Sequence, residues 1–132
     1  MSDTCICGNA KLFDQCCGRF LEDKQSAKTP EQLMRSRYSA YALGGYGEYL
    51  LQTWLPSMAR GLSVAELSHK NIQWVRLEVL DKSQQGDNGM VEFMAFHLDD
   101  EGNEVSMHEK SIFKRIKGQW HYVGAEIKGG RA

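Results

Sequence analysis

The sequence predicts an α+β fold: a cysteine-rich knuckle, then helices, then a run of antiparallel strands. Apolar residues recur at helical spacing between positions 30 and 55, and they alternate with period two from about position 71. All four cysteines lie in the first 17 residues. Helices followed by consecutive strands are typical of α+β domains. A helical pair against a long, curled sheet of at least four strands indicates a cone with helices in its concave face.

The cysteines form two close pairs, Cys5-Ile6-Cys7 and Cys16-Cys17. Four thiolates at this spacing predict one tetrahedral, structural Zn²⁺. Residues 1–22 have few apolar side chains, and metal binding would supply the stability that this segment lacks. Gly8 and Gly18 allow the tight turns that direct the sulfurs towards one ion.

Two alternatives compete with zinc. Disulfides within Cys5-Ile6-Cys7 or Cys16-Cys17 would close strained or very tight rings. A redox-sensing or nucleophilic cysteine needs fewer than four thiols. We retain the thiol switch as an alternative hypothesis.

Composition restricts the functional classes. The chain has 132 residues, 42% hydrophobic and 25% charged, with a formal net charge of −1. Such a weak charge disfavours binding to nucleic acid. No apolar run approaches the ~20 residues of a membrane span, and the N-terminus does not resemble a signal peptide. We therefore expect a cytoplasmic protein that does not insert into membranes; no feature indicates an oligomeric state.

The first long helix is predicted to begin after Thr29, which caps it, with Pro30 in the first turn and Gln32 completing a capping box. Gly44-Gly45 ends it. One face carries Leu33, Met34, Tyr38 and Tyr41 together with Arg37, while Arg35 and Ser39 point away from that face.

A second helix is expected from about Tyr46 to Leu55, including Trp54 and stopped by Pro56. A short third helix begins after Ser63, which forms a capping box with Glu66.

Four strands follow, at 71–81, 90–98, 105–116 and 119–127. In the first, Val75, Leu77 and Val79 are expected on one side. The second is apolar on both faces, as in a central strand. Together they predict a meander.

Two sets of motifs resemble known families. Cys5-x-Cys7-Gly8 with Cys16-Cys17-Gly18 resembles the zinc-binding SEC-C motif, although Ile6 stands where proline is usual. Three further segments resemble the bacterial YchJ-like family: Leu33-Met34-Arg35-Ser36-Arg37-Tyr38-Ser39-Ala40-Tyr41, Thr53-Trp54-Leu55-Pro56, and Glu109-x-Ser111-x-Phe113 with Gly118-x-Trp120-x-Tyr122-Val123.

The resemblance implies a nuclear-transport-factor-2-like cone preceded by a SEC-C knuckle. We therefore expect a knuckle at 1–22, a linker at 23–29 and an α+β domain at 30–132. The family commonly carries a second SEC-C motif at the C-terminus, which this sequence does not show. The resemblance implies no reaction.

A pocket in the cone is a hypothesis. Arg37 lies within an apolar helix face, and Glu109 shares a strand face with Ser111 and Phe113. We expect Glu109 to pair with Arg37. The candidate pocket residues are Arg37, Tyr41, Trp54, Glu109, Trp120 and Tyr122.

The leading functional hypothesis is a binding or adaptor module whose Cys₄ zinc knuckle supports docking of a protein partner. The alternative is an enzyme or ligand binder that uses the cavity around Arg37 and Glu109. No catalytic motif appears in the sequence, which favours a role other than catalysis.

Overall fold

A computed structural model describes residues 4–70 and 72–127, and it has the predicted α+β architecture. In the described residues, helices precede a four-stranded antiparallel sheet of order β1-β2-β3-β4. The helices are α1 (Gly18–Leu21), α2 (Pro30–Leu43), α3 (Gly47–Gln52) and α4 (Val64–Ser68), with 3₁₀ turns at Phe13–Gln15 and Pro56–Met58. The strands are β1 (Gln73–Gln85), β2 (Asn88–Leu98), β3 (Glu104–Ile116) and β4 (Gln119–Ile127).

Three parts of the predicted segments lie outside the described residues. These are residues 1–3 of the predicted knuckle, Asn71 at the start of the first predicted strand, and residues 128–132 of the predicted domain.

In the part of the chain that is described, no helix combines the length and apolar character needed to cross a membrane.

Helix α2 begins and ends as predicted. The Thr29 hydroxyl accepts a hydrogen bond from the backbone N–H of Gln32 at 3.1 Å. The Gln32 side chain reaches back one residue further than expected and accepts from the N–H of Lys28 at 2.8 Å. Gly44, at φ 76°, ends the helix. Because both ends are capped locally, the position of α2 along the chain follows from the sequence itself.

The second predicted helix is shorter than the sequence indicates. Helix α3 ends at Gln52, and Trp54 instead forms a parallel bridge with Tyr122 of β4. The N–H of Tyr122 donates to Thr53 O at 2.7 Å, and the N–H of Leu55 donates to Tyr122 O at 2.8 Å. These bonds to a distant strand replace a final helical turn. The prediction that Trp54 is helical is therefore wrong, and the tryptophan is held against the sheet.

Strand β1 departs from strict alternation. Its pairing with β2 shifts register between Trp74 and Arg76 and again between Val79 and Asp81. A bulge reverses the faces that follow it, so Trp74 is half-buried, Leu77 is buried and Val75 is 39% exposed. The expectation that Val75 shares a buried face with Leu77 and Val79 is wrong, because the bulge intervenes.

One face of the sheet is covered by α2, and their contact is close near the start of β2. Gly89 is buried there, and a Cβ on it would stand 2.4 Å from Cγ of Pro30 and 3.2 Å from the Trp120 ring. A proline ring at the first turn of a helix has little freedom to move. The glycine therefore sets the distance between α2 and the sheet.

We expect Gly89→Ala to lower the free energy of unfolding by about 1–3 kcal/mol, because the added methyl overpacks the contact with Pro30. Urea denaturation followed by circular dichroism measures this. Gly124→Ala is the matched control, since a Cβ at this other strand glycine meets nothing within 4 Å. Equal stability of the two variants would contradict the proposed close approach.

Candidate metal centre and cavity

The four cysteine sulfurs converge on one point. Cys5, Cys7, Cys16 and Cys17 are all buried, and their Sγ atoms all lie within 4.8 Å of one another. The Sγ atoms of Cys7 and Cys16 are 3.6 Å apart. Zn–S bonds of about 2.3 Å in a tetrahedron separate the sulfurs by about 3.8 Å. The donor set and its dimensions fit one tetrahedral divalent metal ion such as zinc.

Local backbone turns bring the two cysteine pairs together. The N–H of Cys5 donates to Lys11 O at 2.7 Å, and the N–H of Gly8 donates to Cys5 O at 3.1 Å. Gly8 adopts φ +97°, a conformation that other residues rarely take. Cys16 and Cys17 follow the 3₁₀ turn and lead into α1. The knuckle is therefore shaped by its own short-range hydrogen bonds.

Polar groups from outside the cysteine pairs surround the sulfurs. Arg35 of α2 donates from Nη1 to Cys7 O at 2.8 Å, with Cys7 Sγ 3.9 Å away. The Asn9 side chain donates to Cys16 Sγ at 3.4 Å, and Ser39 Oγ lies 3.8 Å from Cys5 Sγ. Groups of this kind orient metal ligands and offset thiolate charge. Arg35 and Ser39 join the metal centre to α2.

Without a cation, deprotonation of one thiol opposes deprotonation of its neighbours. Hydrogen bonds from Cys17 and Cys7 lower the pKa of Cys5. At Cys7 the bond to Cys17 also lowers the pKa, but the bond with Cys5 and burial together outweigh it and raise the pKa of Cys7 to about 11. Its bonds to Cys5 and Cys7 likewise raise the pKa of Cys17. Several thiolates can therefore coexist here when a divalent cation balances them.

Arg35 and Ser39 lie on the side of α2 that sequence periodicity assigned to the outside. Ser36 and Ser39 have no exposed surface: Ser39 lies against Cys5 of the knuckle, and Ser36 lies against Tyr49 of α3. Arg35 and Ser39 do point away from the helix face that packs on the sheet, as predicted. They lie instead on a second face of α2, which packs against the knuckle. The signal in the sequence was the small side chain of Ser39, which permits close approach of Cys5 to the helix.

The knuckle and the domain share one core. The four cysteines and the α1 residues Phe20 and Leu21 belong to the same buried cluster as Leu33 and Tyr38. The segment interpreted as a linker, residues 23–29, is also anchored: Ala27 is buried, and the Trp120 indole N–H donates to Lys28 O at 3.3 Å.

A cavity of about 290 Å³ lies between α2 and the sheet. Its walls are largely apolar and aromatic, with polar groups from α2, β3 and β4. The lining residues are Met34, Arg37, Tyr38, Tyr41, Trp54, Ile72, Trp74, Phe93, Ala95, Met107, Glu109, Ser111, Phe113 and Tyr122. Five of the six residues predicted for the pocket meet here. Trp120 does not, because it is buried against Lys28 beside a separate groove.

Arg37 is 5% exposed and forms the cationic end of the cavity. Its Nη1 donates to Leu50 O at 2.8 Å and to Thr53 Oγ1 at 2.7 Å. Its guanidinium carbon lies over two rings, 4.8 Å from the centre of Trp54 and 4.7 Å from that of Tyr122, and these rings contact each other edge-on. Burial lowers the pKa of Arg37, but an arginine remains protonated at neutral pH.

Glu109 does not pair directly with Arg37. Among the described residues no ion pair joins the two within 4.0 Å, and Glu109 Oε2 instead accepts from Ser111 Oγ at 2.7 Å and from the Tyr122 hydroxyl at 3.3 Å. The Glu109 charge still acts on Arg37 at longer range. The two charged groups thus line one cavity and act on each other by charge, while each forms its hydrogen bonds with different neighbours.

The cavity also includes aromatic residues outside the predicted six, which the sequence places in the core by default although they could also line a pocket. Tyr38 and Trp74 stack edge-on with ring centres 6.1 Å apart, and Trp74 packs against His97 at 5.1 Å. The Tyr38 hydroxyl is, in the described part of the chain, the one buried side-chain oxygen or nitrogen without a hydrogen-bond partner. Burial and the neighbouring Cys7 raise the pKa of Tyr38 to about 12. No sequence pattern distinguishes such a residue from a core tyrosine.

Comparison with known proteins places both parts in one family. A family model described as the YchJ middle NTF2-like domain matches residues 29–125. A UPF0225 protein of Sodalis glossinidius is 36% identical over 99% of this chain and 88% of its own length. One from Chromobacterium violaceum is 42% identical over 93% of this chain and 92% of its own.

A solved structure is similar over the whole length. The solution structure of a SEC-C motif containing protein from Rhodopseudomonas palustris has a TM-score of 0.86 and 36% identity. The match covers 98% of this chain and 100% of that one. The cysteine cluster and the helix-on-sheet domain are therefore found together in a relative.

We expect Arg35→Gln to weaken Zn²⁺ binding by about 10–100-fold, because it removes a cation and a donor from the Cys7 thiolate and carbonyl. Competition against a chromophoric chelator measures the affinity and the number of ions per chain, expected to be about one. Arg60→Gln is the matched control, since Arg60 is exposed and does not line the groove beside Cys16 and Cys17. Unchanged affinity in Arg35→Gln would rule out this role for the arginine.

Proposed function

The chain belongs to the YchJ-like family, and on that premise we propose that it is a zinc-stabilised binding module that accepts a small ligand in the cavity between α2 and the sheet. The zinc is structural, and the cavity carries the binding activity. The observation that supports this proposal above others is Arg37: a buried cation without a direct carboxylate partner, placed at the end of an apolar cavity.

The cysteine cluster supports a structural role for the metal. Four thiolates complete a tetrahedral zinc site and leave no coordination position for a substrate. All four side chains are at most 3% exposed. Zinc bound here would hold the knuckle on α2 through Arg35 and Ser39.

The cavity lies on a different face of the same helix. Arg37 and Tyr41 line it, whereas Arg35 and Ser39 contact the cysteines. Residues separated by two positions on a helix project about 200° apart. Helix α2 thus separates the metal from the ligand, and the ligand would never reach the zinc.

The properties of the cavity are those of a binding site for a small molecule. Such sites are concave and mainly apolar, with a few convergent polar groups that fix orientation. Arg37, Tyr41, Glu109 and Tyr122 are the convergent groups here, and Trp74, Phe93 and Phe113 are among the apolar ones. Without a catalytic motif or a metal position open to substrate, binding is the simpler proposal.

Docking of a protein partner is the second candidate. A groove of about 560 Å³ runs between the knuckle, the start of α2 and the end of β1. Its lining includes Lys11, Arg19, Arg35 and Lys82, against a single acidic side chain, Glu31. Glu31 is already engaged by Arg35 and Lys82. The remaining positive charge would favour an acidic surface on a partner.

We expect 2-naphthol to bind the cavity of the zinc-loaded protein and Ala95→Phe to abolish that binding. Ala95 is 2% exposed on a cavity wall, so a phenyl group there would fill the space. Heteronuclear NMR titration measures the affinity and localises the shifted resonances. Ala65→Phe is the control, because Ala65 is an exposed residue of α4 that does not line the cavity.

The zinc content and the amide spectrum of each variant establish that it has folded. Equal binding by wild type and a folded Ala95→Phe protein would place the probe elsewhere. That result, or no binding to the wild type, would remove the cavity proposal.

We expect Lys11→Glu/Lys82→Glu to lose proteins that the wild-type chain captures from a bacterial lysate, if the groove docks an acidic partner. Quantitative mass spectrometry compares the captured proteins. Lys70→Glu/Lys114→Glu introduces the same charge change at exposed positions outside the groove. Identical capture by wild type and both variants would exclude docking through the groove.

A further inference from the structure

We infer that the cavity takes a neutral ligand with a flat apolar body, about the size of two fused rings, which carries a hydrogen-bond acceptor next to a donor at one end. Aromatic carboxamides and lactams are compounds of this class. The inference rests on the proposed function, because it specifies which ligand the cavity would hold.

The volume sets the size of the body. An engineered protein cavity of about 150 Å³ holds a benzene molecule. At about 290 Å³, this cavity has roughly twice that space. The cavity therefore has space for a bicyclic aromatic ring system.

The walls set its polarity. Met34, Trp74, Phe93, Met107 and Phe113 line most of the cavity. Apart from the Trp74 indole N–H, these side chains offer dispersion contacts and no hydrogen bonds. The Tyr38 hydroxyl is a further polar group in the lining, so a ligand body with several polar groups around its edge would lose more hydrogen bonds to water than it gains here.

Arg37 supplies the donor for the polar end. A guanidinium has five N–H donors. Nη1 uses its two on Leu50 and Thr53, and the Tyr41 hydroxyl stands beside the group. Among the described residues, Nε and Nη2 form no hydrogen bond as close as those two, and neither nitrogen is a fully buried, unpartnered atom. They are therefore accessible from the cavity that Arg37 lines.

Glu109 supplies the acceptor. Its Oε2 already receives two hydroxyl groups, from Ser111 and Tyr122. Its Oε1 has no bond to the side chains that the structure describes, yet it is not a fully buried, unpartnered atom either. An amide N–H of a ligand would complete it, while the ligand carbonyl accepts from Arg37.

The charges of the lining favour a ligand without net charge. Arg37 and Glu109 are the charged side chains among the lining residues, and their formal charges cancel. Burial raises the pKa of Tyr41 and of Tyr122, so both hydroxyls are neutral at pH 7. A ligand carboxylate attracted by Arg37 would meet repulsion from Glu109, and a ligand ammonium would meet the reverse.

Two nearly isosteric probes test the inference. We expect 2-naphthamide to bind the zinc-loaded wild-type protein about tenfold more tightly than 2-naphthoate. The amide can hydrogen-bond to both Arg37 and Glu109, whereas the carboxylate is repelled by Glu109. Isothermal titration calorimetry and NMR shift mapping on the cavity residues measure both affinities at pH 7.

Glu109→Gln should reverse this preference. The glutamine carbonyl can take over the hydrogen bonds from Ser111 and Tyr122, which turns its NH₂ group towards the cavity. The cavity then has a net positive charge and a second donor, so 2-naphthoate should become the tighter ligand. Glu104→Gln removes the same charge from an exposed position on the same strand, and the wild-type preference should persist there.

The outcomes separate the two proposals. Binding of neither probe would overturn the cavity as a ligand site, and with it this inference. Equal affinities, or tighter binding of 2-naphthoate to the wild type, would overturn the neutral-ligand inference and leave the ligand site intact. An unchanged preference in folded Glu109→Gln protein would also overturn it. Tighter 2-naphthamide binding that reverses in Glu109→Gln would support it.

Discussion

The contact between the cysteine cluster and α2 is the interaction on which the rest of this structure depends. Arg35 and Ser39 reach the sulfurs from one side of the helix, while the sheet covers another side. A helix buried on two faces has little freedom to rotate or shift. The position of every cavity residue that α2 contributes, Arg37 among them, is therefore constrained by both contacts, and metal bound at the cysteines would strengthen one of them.

Arg37 shows how the fold keeps a charge inside the domain. A buried guanidinium is costly unless hydrogen bonds or aromatic faces replace its water. Here a backbone carbonyl, the Thr53 hydroxyl and the rings of Trp54 and Tyr122 do so. Two of these groups are adjacent in sequence and stand over Arg37 because residues 53–55 pair with β4. The early end of α3 and the stabilisation of Arg37 thus have one cause.

Local patterns predicted the elements well where local interactions determine them. The Thr29 and Ser63 caps, the glycines after α2 and the meander of four strands are all confirmed. The prediction was wrong where a distant segment competes with a local preference. Trp54 leaves the helical pattern for a bridge to Tyr122, and Val75 is displaced to the outside by a bulge in the pairing with β2. The sequence of neither segment by itself indicates the distant strand with which it pairs.

By itself, the sequence determined the set of cysteines that could hold a metal ion, the family and the order of elements, because each depends on residue type and short-range spacing. The tertiary structure decided what the knuckle contacts and how the buried charges are satisfied. Arg35 serves the cysteines, and Glu109 is held by Ser111 and Tyr122 while Arg37 is held by Leu50 and Thr53. Hydrogen bonds depend on tenths of an ångström between residues far apart in the chain, and periodicity carries no such information.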